Sequence, residues 1–507
     1  MLGERRSRDV AGTVADDGGG APEVSRGAWR DPVAWAIAAA VFCAYFTISL
    51  LRFLTLTPTS WDLGIYTEYV KQLALLRAPV VDVRGPGFNL LGDHFQIGLA
   101  VLAPFFRLYP SPATLLFCQA LLTAVSVFPV MAAATLLLGR GSGRLIGFAY
   151  GFSWGLQQMI DFDFHEIAIA VPLLAFSLSA LVRGRVRAAA LWALPLVFVK
   201  EDQGFTVAAI GAYLIFAGVW TLSGADPPLG SARFREYAIW GTLLVGWGLF
   251  WSVFAITVII PHFNPLHEYY YWKDGGVVAG GHGFSVGSLV VQTASGWPTK
   301  LQTVILLLLP TAFAALGSPI ALLALPGLLL RFVSTNTAYW GTDWHYNATI
   351  MPILFIAAVA AMARWRAADA SGPRALLRVG LARHGAPMMA AIAVAVAFQF
   401  PLSTLWHGST YAISPQVAAD NAAMAVVPDG VTVQTTLNLL APLAARTDTF
   451  WIGNAGNPLT QYIVFDAKNS GYTPAPANVP AFIAGLYPGA GYTQVFERSD
   501  VYVFRRR

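Results

Sequence analysis

Four short stretches and two aromatic loops hold most of the side chains able to do chemistry. In "SWDLGIYTEYVKQLALL" (60–76), Asp62 stands beside Trp61, ahead of a helical stripe of Ile65, Tyr69, Leu73 and Leu76. A carboxylate against an indole, near low-dielectric lipid, keeps a raised pKa and can accept a proton. Asp62 or Ser60 can also cap the helix, and one aspartate can do both jobs. "LLGDHFQ" places Asp93 where a helix cap belongs and His94 where it can pair with a carboxylate or a phosphate. "DFDFHEI" gathers Asp161, Asp163, His165 and Glu166. Its spacing admits a divalent metal on Asp163 and Glu166, or a turn that sends carboxylates to water and rings to lipid. "FVKEDQG" sets Lys200, Glu201 and Asp202 where one apolar run ends and the next begins. Charges there are costly unless paired or functional. They form either a self-neutralising cluster or a site where Lys200 meets a phosphate and an acid orients a sugar hydroxyl. "PHFNPLHEYYYWKDGG" and "TAYWGTDWHYNAT" mix an aromatic belt with His267, Glu268, Lys273, Asp274, Asp343, His345 and Tyr346. Aromatic faces among scattered polar groups are also a way to hold sugars. There is no P-loop, GxSxG, HExxH or GxGxxG in a strand–helix context, which argues against ATP-driven pumping by this chain, serine hydrolysis and zincin chemistry.

The elements that must position these residues are membrane helices. The 507 residues are 56% hydrophobic and 12% charged, against about 25% charged in soluble domains. The net charge of +5 comes mainly from short loops, where it reads as a topology signal and not as nucleic-acid binding. Cys43 and Cys118 both lie in apolar runs, so a structural disulfide is not expected. Residues 1–31 read as a disordered cytoplasmic arm. The run 32–56 is too long for a signal-peptide core and reads as a retained span. Eleven segments are apolar enough to span, or nearly so: 32–56, 113–138, 144–160, 166–182, 187–200, 204–222, 238–260, 300–316, 318–333, 347–363 and 386–405.

A twelfth run, 94–109, is also apolar. If it crossed, the arginine-rich loops 139–144, 183–187 and 232–236 would flip outside while the N-terminal arm stayed in. The positive-inside bias therefore makes 94–109 an interfacial helix within a first outer loop, 57–112. The same topology collects Asp62, Glu68, Asp93, His94, Asp163, His165, Glu166, Lys200, Glu201, Asp202, His267, Glu268, His282 and His345 at the outer face. Residues 406–507 alternate strand and helix patterns ("VTVQTT", "QYIVFDA", "VYVFRR") and read as a small extracytoplasmic α/β domain.

The motifs "WDLGIYTEYV", "GDHFQIGLAVLAPFFRLYPSP", "DFHEIAIAVPLLAFSL", "VKEDQGF" and "HYNATIMPIL" resemble those of the membrane family catalogued as domain of unknown function 2079, across roughly residues 55 to 500. Their order also looks like that of the GT-C class of integral membrane glycosyltransferases. The resemblance implies a polytopic α-helical fold of about eleven spans. It implies transfer of a sugar from a polyprenyl-phosphate donor to a cell-envelope glycan, lipid or protein, by a multi-pass protein of the inner (plasma) membrane. The N-terminus would be cytoplasmic and the C-terminus extracytoplasmic. Asp62 matches the class's loop aspartate and would be catalytic. His94, Lys200, Glu201, Asp202, His345 and Tyr346 would bind donor phosphate or sugar. Asp93, Asp163, His165, Glu166, His267 and Glu268 are secondary candidates. The single acid in "SWDLG" favours a reaction needing no metal or other cofactor, with a divalent metal at Asp163 and Glu166 as the other option. The alternative function is a transporter or flippase of a lipid-linked saccharide.

Overall fold

The computed structural model describes residues 25–58, 60–224, 231–272, 286–367 and 375–507. Most of the expected N-terminal arm (1–24), together with Lys273, Asp274 and His282, lies outside them. The arm was expected to run to residue 31. Instead Ser25–Arg30 is a short helix (α1), and Asp31 caps the helix that follows.

Among the described residues, five helices are long and apolar enough to cross a membrane: Pro32–Leu54, Pro112–Leu138, Arg233–Phe263, His345–Ala367 and Ala375–Ala397. The expected span 204–222 is one unbroken 22-residue helix, Gln203–Gly224, and the remaining expected spans are shorter or broken. The run 144–160 divides into Arg140–Gly151 and Trp154–Asp161 around Phe152 and Ser153. Ile167–Val182 and Val186–Phe198 are apolar helices below spanning length; a vertical crossing takes about 20 residues. The run 300–316 leaves the helix after Leu308, because Ala312 and Phe313 adopt left-handed backbone (φ 48° and 60°). The segment 94–109 is a 3₁₀ stretch, Ile97–Leu102, running into a helix, Ala103–Leu108. Twelve residues at about 1.5–2 Å each reach well short of a 30 Å hydrocarbon layer.

In chain order the helices used below are α2 (Pro32–Leu54), α3 (Asp62–Ala74), α4 (Ala103–Leu108), α5 (Pro112–Leu138), α6 (Arg140–Gly151), α7 (Trp154–Asp161), α8 (Ile167–Val182), α9 (Val186–Ala193), α10 (Gln203–Gly224), α11 (Ser231–Phe254), α12 (Ile260–Phe263), α13 (Val286–Ala294), α14 (Trp297–Leu308), α15 (Leu325–Phe332), α16 (Ile350–Ala367) and α17 (Ala375–Ala397). The main core joins α2, α5, α6, α8 and α16. The spanning window around α16 is 78% buried, against 33% for α2, so α16 is the central post and α2 a peripheral one. Basic side chains stitch one end of the bundle. Arg144 forks onto Asp31 (both contacts 3.0 Å), and Arg366 donates to the carbonyls of Leu138 (2.7 Å) and Ala382 (2.8 Å). The chemistry-bearing loops collect at the opposite end.

The C-terminal residues form a five-stranded sheet of order β2-β1-β3-β5-β4. The strands are β1 (Thr432–Thr435), β2 (Asp448–Trp451), β3 (Tyr462–Asp466), β4 (Tyr492–Arg498) and β5 (Val501–Arg506), accompanied by α18 (Pro415–Ala425), α19 (Leu440–Ala444) and α20 (Val479–Leu486). β2, β1 and β3 are parallel, while β5 runs antiparallel to β3 and β4. β3 is buried at all five positions, as a strand covered on both faces must be. Leu440, Ala441 and Ala444 of α19 share a core with Leu63, Ile65 and Tyr69 of α3, so the sheet unit sits on the first loop.

Candidate active site

α3 begins at Asp62. Its N-cap is Trp61, which makes no side-chain capping bond. The expected capping role is therefore not taken by Asp62, which sits in the first turn and lines a cavity of about 340 Å³. The partial positive charge of a helix N-terminus favours a carboxylate there. Burial raises the Asp62 pKa above the ordinary carboxylate value, while His165 and a bond from Ser60 oppose the rise.

Five separate parts of the chain bring the sequence-predicted Asp62, Asp93, His94, His165, Lys200, Glu201, Asp202, His345 and Tyr346 to the cavity wall. Two carboxylates organise it. Glu166, fully buried, accepts from Tyr66 Oη and pairs with His165 Nδ1, and its Oε1 lies 3.0 Å from Lys200 Nζ. Glu201 takes His94 Nδ1 at 2.7 Å, the Phe95 N–H at 3.1 Å and Tyr269 Oη at 3.0 Å. Burial and Lys200 push the His94 pKa down, but Glu201 outweighs them and leaves it raised. Lys200, Glu201 and Asp202 are thus neither a closed triad nor three ligands. Adjacent residues serve two clusters, and Asp202, raised by burial, faces the cavity beside Gln203.

His165 stacks on His345 with centroids 3.4 Å apart. His345 is buried, and neither of its ring nitrogens has a hydrogen-bond partner. A buried imidazole without partners is expensive, and a bound anion would satisfy it. Asp93, expected as a helix cap, instead faces Arg84 Nε at 3.6 Å and accepts from Tyr271 Oη at 3.2 Å.

Other candidates stay outside. Asp163 sits in a left-handed turn (φ 67°), its carboxylate 3.5 Å from Arg52 Nε, and does not reach the cavity. Among the described residues, no group of three or more His, Cys, Asp or Glu side chains is placed to hold a metal ion. His267 is exposed, and Glu268 is absent from the cavity wall. Gln119 of α5 builds the turn that delivers His165 and Glu166: its Nε2 donates to the Asp163 carbonyl and its Oε1 accepts the His165 N–H at 3.0 Å.

Sequence reading missed Arg331. It ends α15 buried and lines the cavity, donating to Tyr339 O (2.8 Å), Gly341 O (3.1 Å) and Asn347 Oδ1 (2.9 Å). Those bonds hold the loop that carries His345 and Tyr346. The available signal was an arginine closing an apolar run just before an aromatic loop. Tyr66, Arg84, Gln96, Tyr269 and Tyr271 also join the wall.

The chain belongs to the membrane family described as "Predicted membrane protein (DUF2079)", which matches residues 52–499. No curated protein matches it. Its fold is similar to that of ArnT from Cupriavidus metallidurans bound to undecaprenyl phosphate, with a TM-score of 0.53 at 14% identity over 92% of this chain and 97% of that one. Apo ArnT gives 0.49 at 13% identity over 92% and 97%. The Archaeoglobus fulgidus oligosaccharyltransferase gives 0.37 at 10% over 93% and 74%. At 14% identity the likeness to ArnT is one of fold, and it agrees with the polytopic helical architecture that the motifs implied.

Proposed function

We propose that the protein is an integral membrane glycosyltransferase that moves a sugar from a polyprenyl-phosphate donor to an extracytoplasmic cell-envelope acceptor. The carrying observation is one cavity of about 340 Å³ that places the carboxylate of Asp62 among Arg84, His94, Lys200, Arg331 and the unsatisfied His345. Its size falls within the roughly 300–1,000 Å³ of small-molecule sites. Cations suit a phosphate, aromatic walls suit a sugar, and the half-buried carboxylate suits an acceptor proton. The solved relative's bound undecaprenyl phosphate supports a lipid of that class.

In the reaction, Asp62 takes the proton of an acceptor hydroxyl as its oxygen attacks the anomeric carbon. The bond from that carbon to the phosphate oxygen breaks, and the electron pair leaves with the polyprenyl phosphate. Lys200, His94 and His345 stabilise the departing charge by charge-assisted hydrogen bonds. Asp202 and Glu201 orient sugar hydroxyls and the His94 ring respectively. The reading requires no metal, and the arginine-stitched end of the bundle faces the cytoplasm.

The test is a proteoliposome assay with a panel of labelled undecaprenyl-phosphate hexoses and pentoses, with and without chelator. Wild type should transfer label to envelope material and Asp62→Asn should not. Movement of intact labelled lipid across the bilayer without sugar transfer would replace the enzyme by the flippase reading.

A further inference from the structure

The helix that presents Asp62 is gripped from two sides. Toward the bundle, Tyr66 donates to Glu166. Toward the C-terminal domain, Lys71 Nζ donates to the carbonyls of Ala444 and Thr447, both at 2.8 Å. These carbonyls lie at the end of α19 and in the turn that follows, where a helix leaves carbonyls unpaired and favours a cation. Gly64, two residues after Asp62, meets α19 so closely that an added Cβ would stand 3.0 Å from Leu440 Cβ. The loop after α3 is held the same way. The Val83 N–H donates to Glu68 Oε2 of α3 at 2.9 Å, and the Val83 carbonyl accepts from Asn454 Nδ2 of the C-terminal domain at 3.0 Å. Trp451, ending β2, sets its ring 5.2 Å from that of Trp61 in an edge-on contact. Lys71, Gly64, Leu440 and Asn454 are all absent from the cavity wall.

We infer that the C-terminal domain is a positioning device for the catalytic helix, and that Lys71 is the positioning residue that couples the two. This rests on the glycosyltransferase reading and deepens it: the domain sets where Asp62 stands, in addition to any part in acceptor choice. α3 is only 13 residues long and is joined to the bundle by loops. Short helices depend on tertiary contacts for stability, so loosening one side lets the carboxylate drift. A displacement of about 1 Å from reactive geometry costs about 10²-fold in rate.

The experiment uses the full-length chain in nanodiscs, comparing wild type, Lys71→Met and Lys71→Arg. Hydrogen–deuterium exchange without substrate reads the coupling directly. Kinetics with the labelled undecaprenyl-phosphate panel read its consequence. Lys71→Met is expected to raise exchange about tenfold across 62–74 and to lower kcat about 10- to 100-fold, leaving donor KM within about twofold. Lys71→Arg, which keeps a cation for both carbonyls, should restore both. Unchanged exchange across 62–74 in Lys71→Met overturns the proposal, as does raised exchange with unchanged kcat. Should Lys71→Met not fold, Asn454→Ala replaces it, with exchange read across 80–88 by the same criteria. If Asp62→Asn proves fully active, the enzymatic reading falls while the exchange data still decide the coupling.

Discussion

At the residue scale, the site separates a carboxylate able to react from carboxylates already engaged. Glu166 and Glu201 spend their oxygens on Lys200, His165, Tyr66, His94 and Tyr269, whereas Asp62 is bonded to Ser60 and lines the cavity. Asp62→Asn keeps shape and most hydrogen bonding but removes the base. Transfer should fall about 10²–10⁴-fold with little change in thermal stability, measured as labelled product and unfolding temperature. Lys200 needs a different design. Lys200→Ala would strand the buried Glu166 carboxylate, a loss of about 3–5 kcal/mol, so a dead variant would say little. The double variant Lys200→Met with Glu166→Gln removes both charges together. It should insert and unfold near the wild-type temperature while losing donor turnover. Normal turnover in that variant would make the pair structural only.

At the element scale, the cavity is made by close backbone approaches between short pieces. Gly92, just before Asp93 and His94, lies against α12, where an added Cβ would come 2.6 Å from the Phe263 carbonyl. Asn264 Nδ2 seals the same contact by donating to the Gly92 carbonyl at 2.8 Å. Backbone cannot retreat as a flexible side chain can. Gly92→Ala should therefore cost about 1–3 kcal/mol and pull His94 from Glu201, seen as a lower unfolding temperature and a weakened donor KM. In the C-terminal domain, Asp420 sits buried beside Asp466, whose oxygens already accept from Asn438, Asn469, Gln416 and the Lys468 N–H. Burial, then the neighbouring carboxylate, push the Asp420 pKa from 3.8 up to about 8. Through that interval the folded domain holds a proton that the unfolded chain has released. Its stability therefore falls as pH rises, by at most about 1.4 kcal/mol per unit, and the loss is complete above about pH 8. Unfolding of the full-length protein at stepped pH should show this slope in the C-terminal domain, and Asp420→Asn should flatten it.

At the scale of the whole molecule, the fold divides labour between two ends. One end is tied by arginines to helix termini, as in Arg144 on Asp31. The other holds the cavity and the sheet domain, where α19 meets α3. On the positive-inside bias, we propose that the first end faces the cytoplasm. A reporter inserted after Gly143 should then report cytoplasm, and one placed after Arg507 should report the outside. The opposite result at Gly143 would invert the site with it.

Composition and loop charge alone determined that this is a multi-pass membrane protein, because burying so few charges in so much apolar sequence has few other solutions. The motifs pointed to the family and to Asp62, Lys200, Glu201 and His345, since ionisable groups at the ends of apolar runs must be paired or used. Strand and helix periodicity likewise marked the last hundred residues, where the sheet lies. Length arguments did not carry the spans, because the interruptions at Ser153 and at Ala312–Phe313 lie in backbone angles that apolar run length does not encode. The roles within the charged cluster were equally out of reach. Lys200 and Glu201 are adjacent in sequence, yet one serves Glu166 and the other His94, 107 positions away. Arg331, Tyr66 and Lys71 acquire meaning only from carbonyls and carboxylates supplied by distant segments. Hydrogen-bond partners at that separation are chosen by packing, and packing is what only the tertiary structure decided.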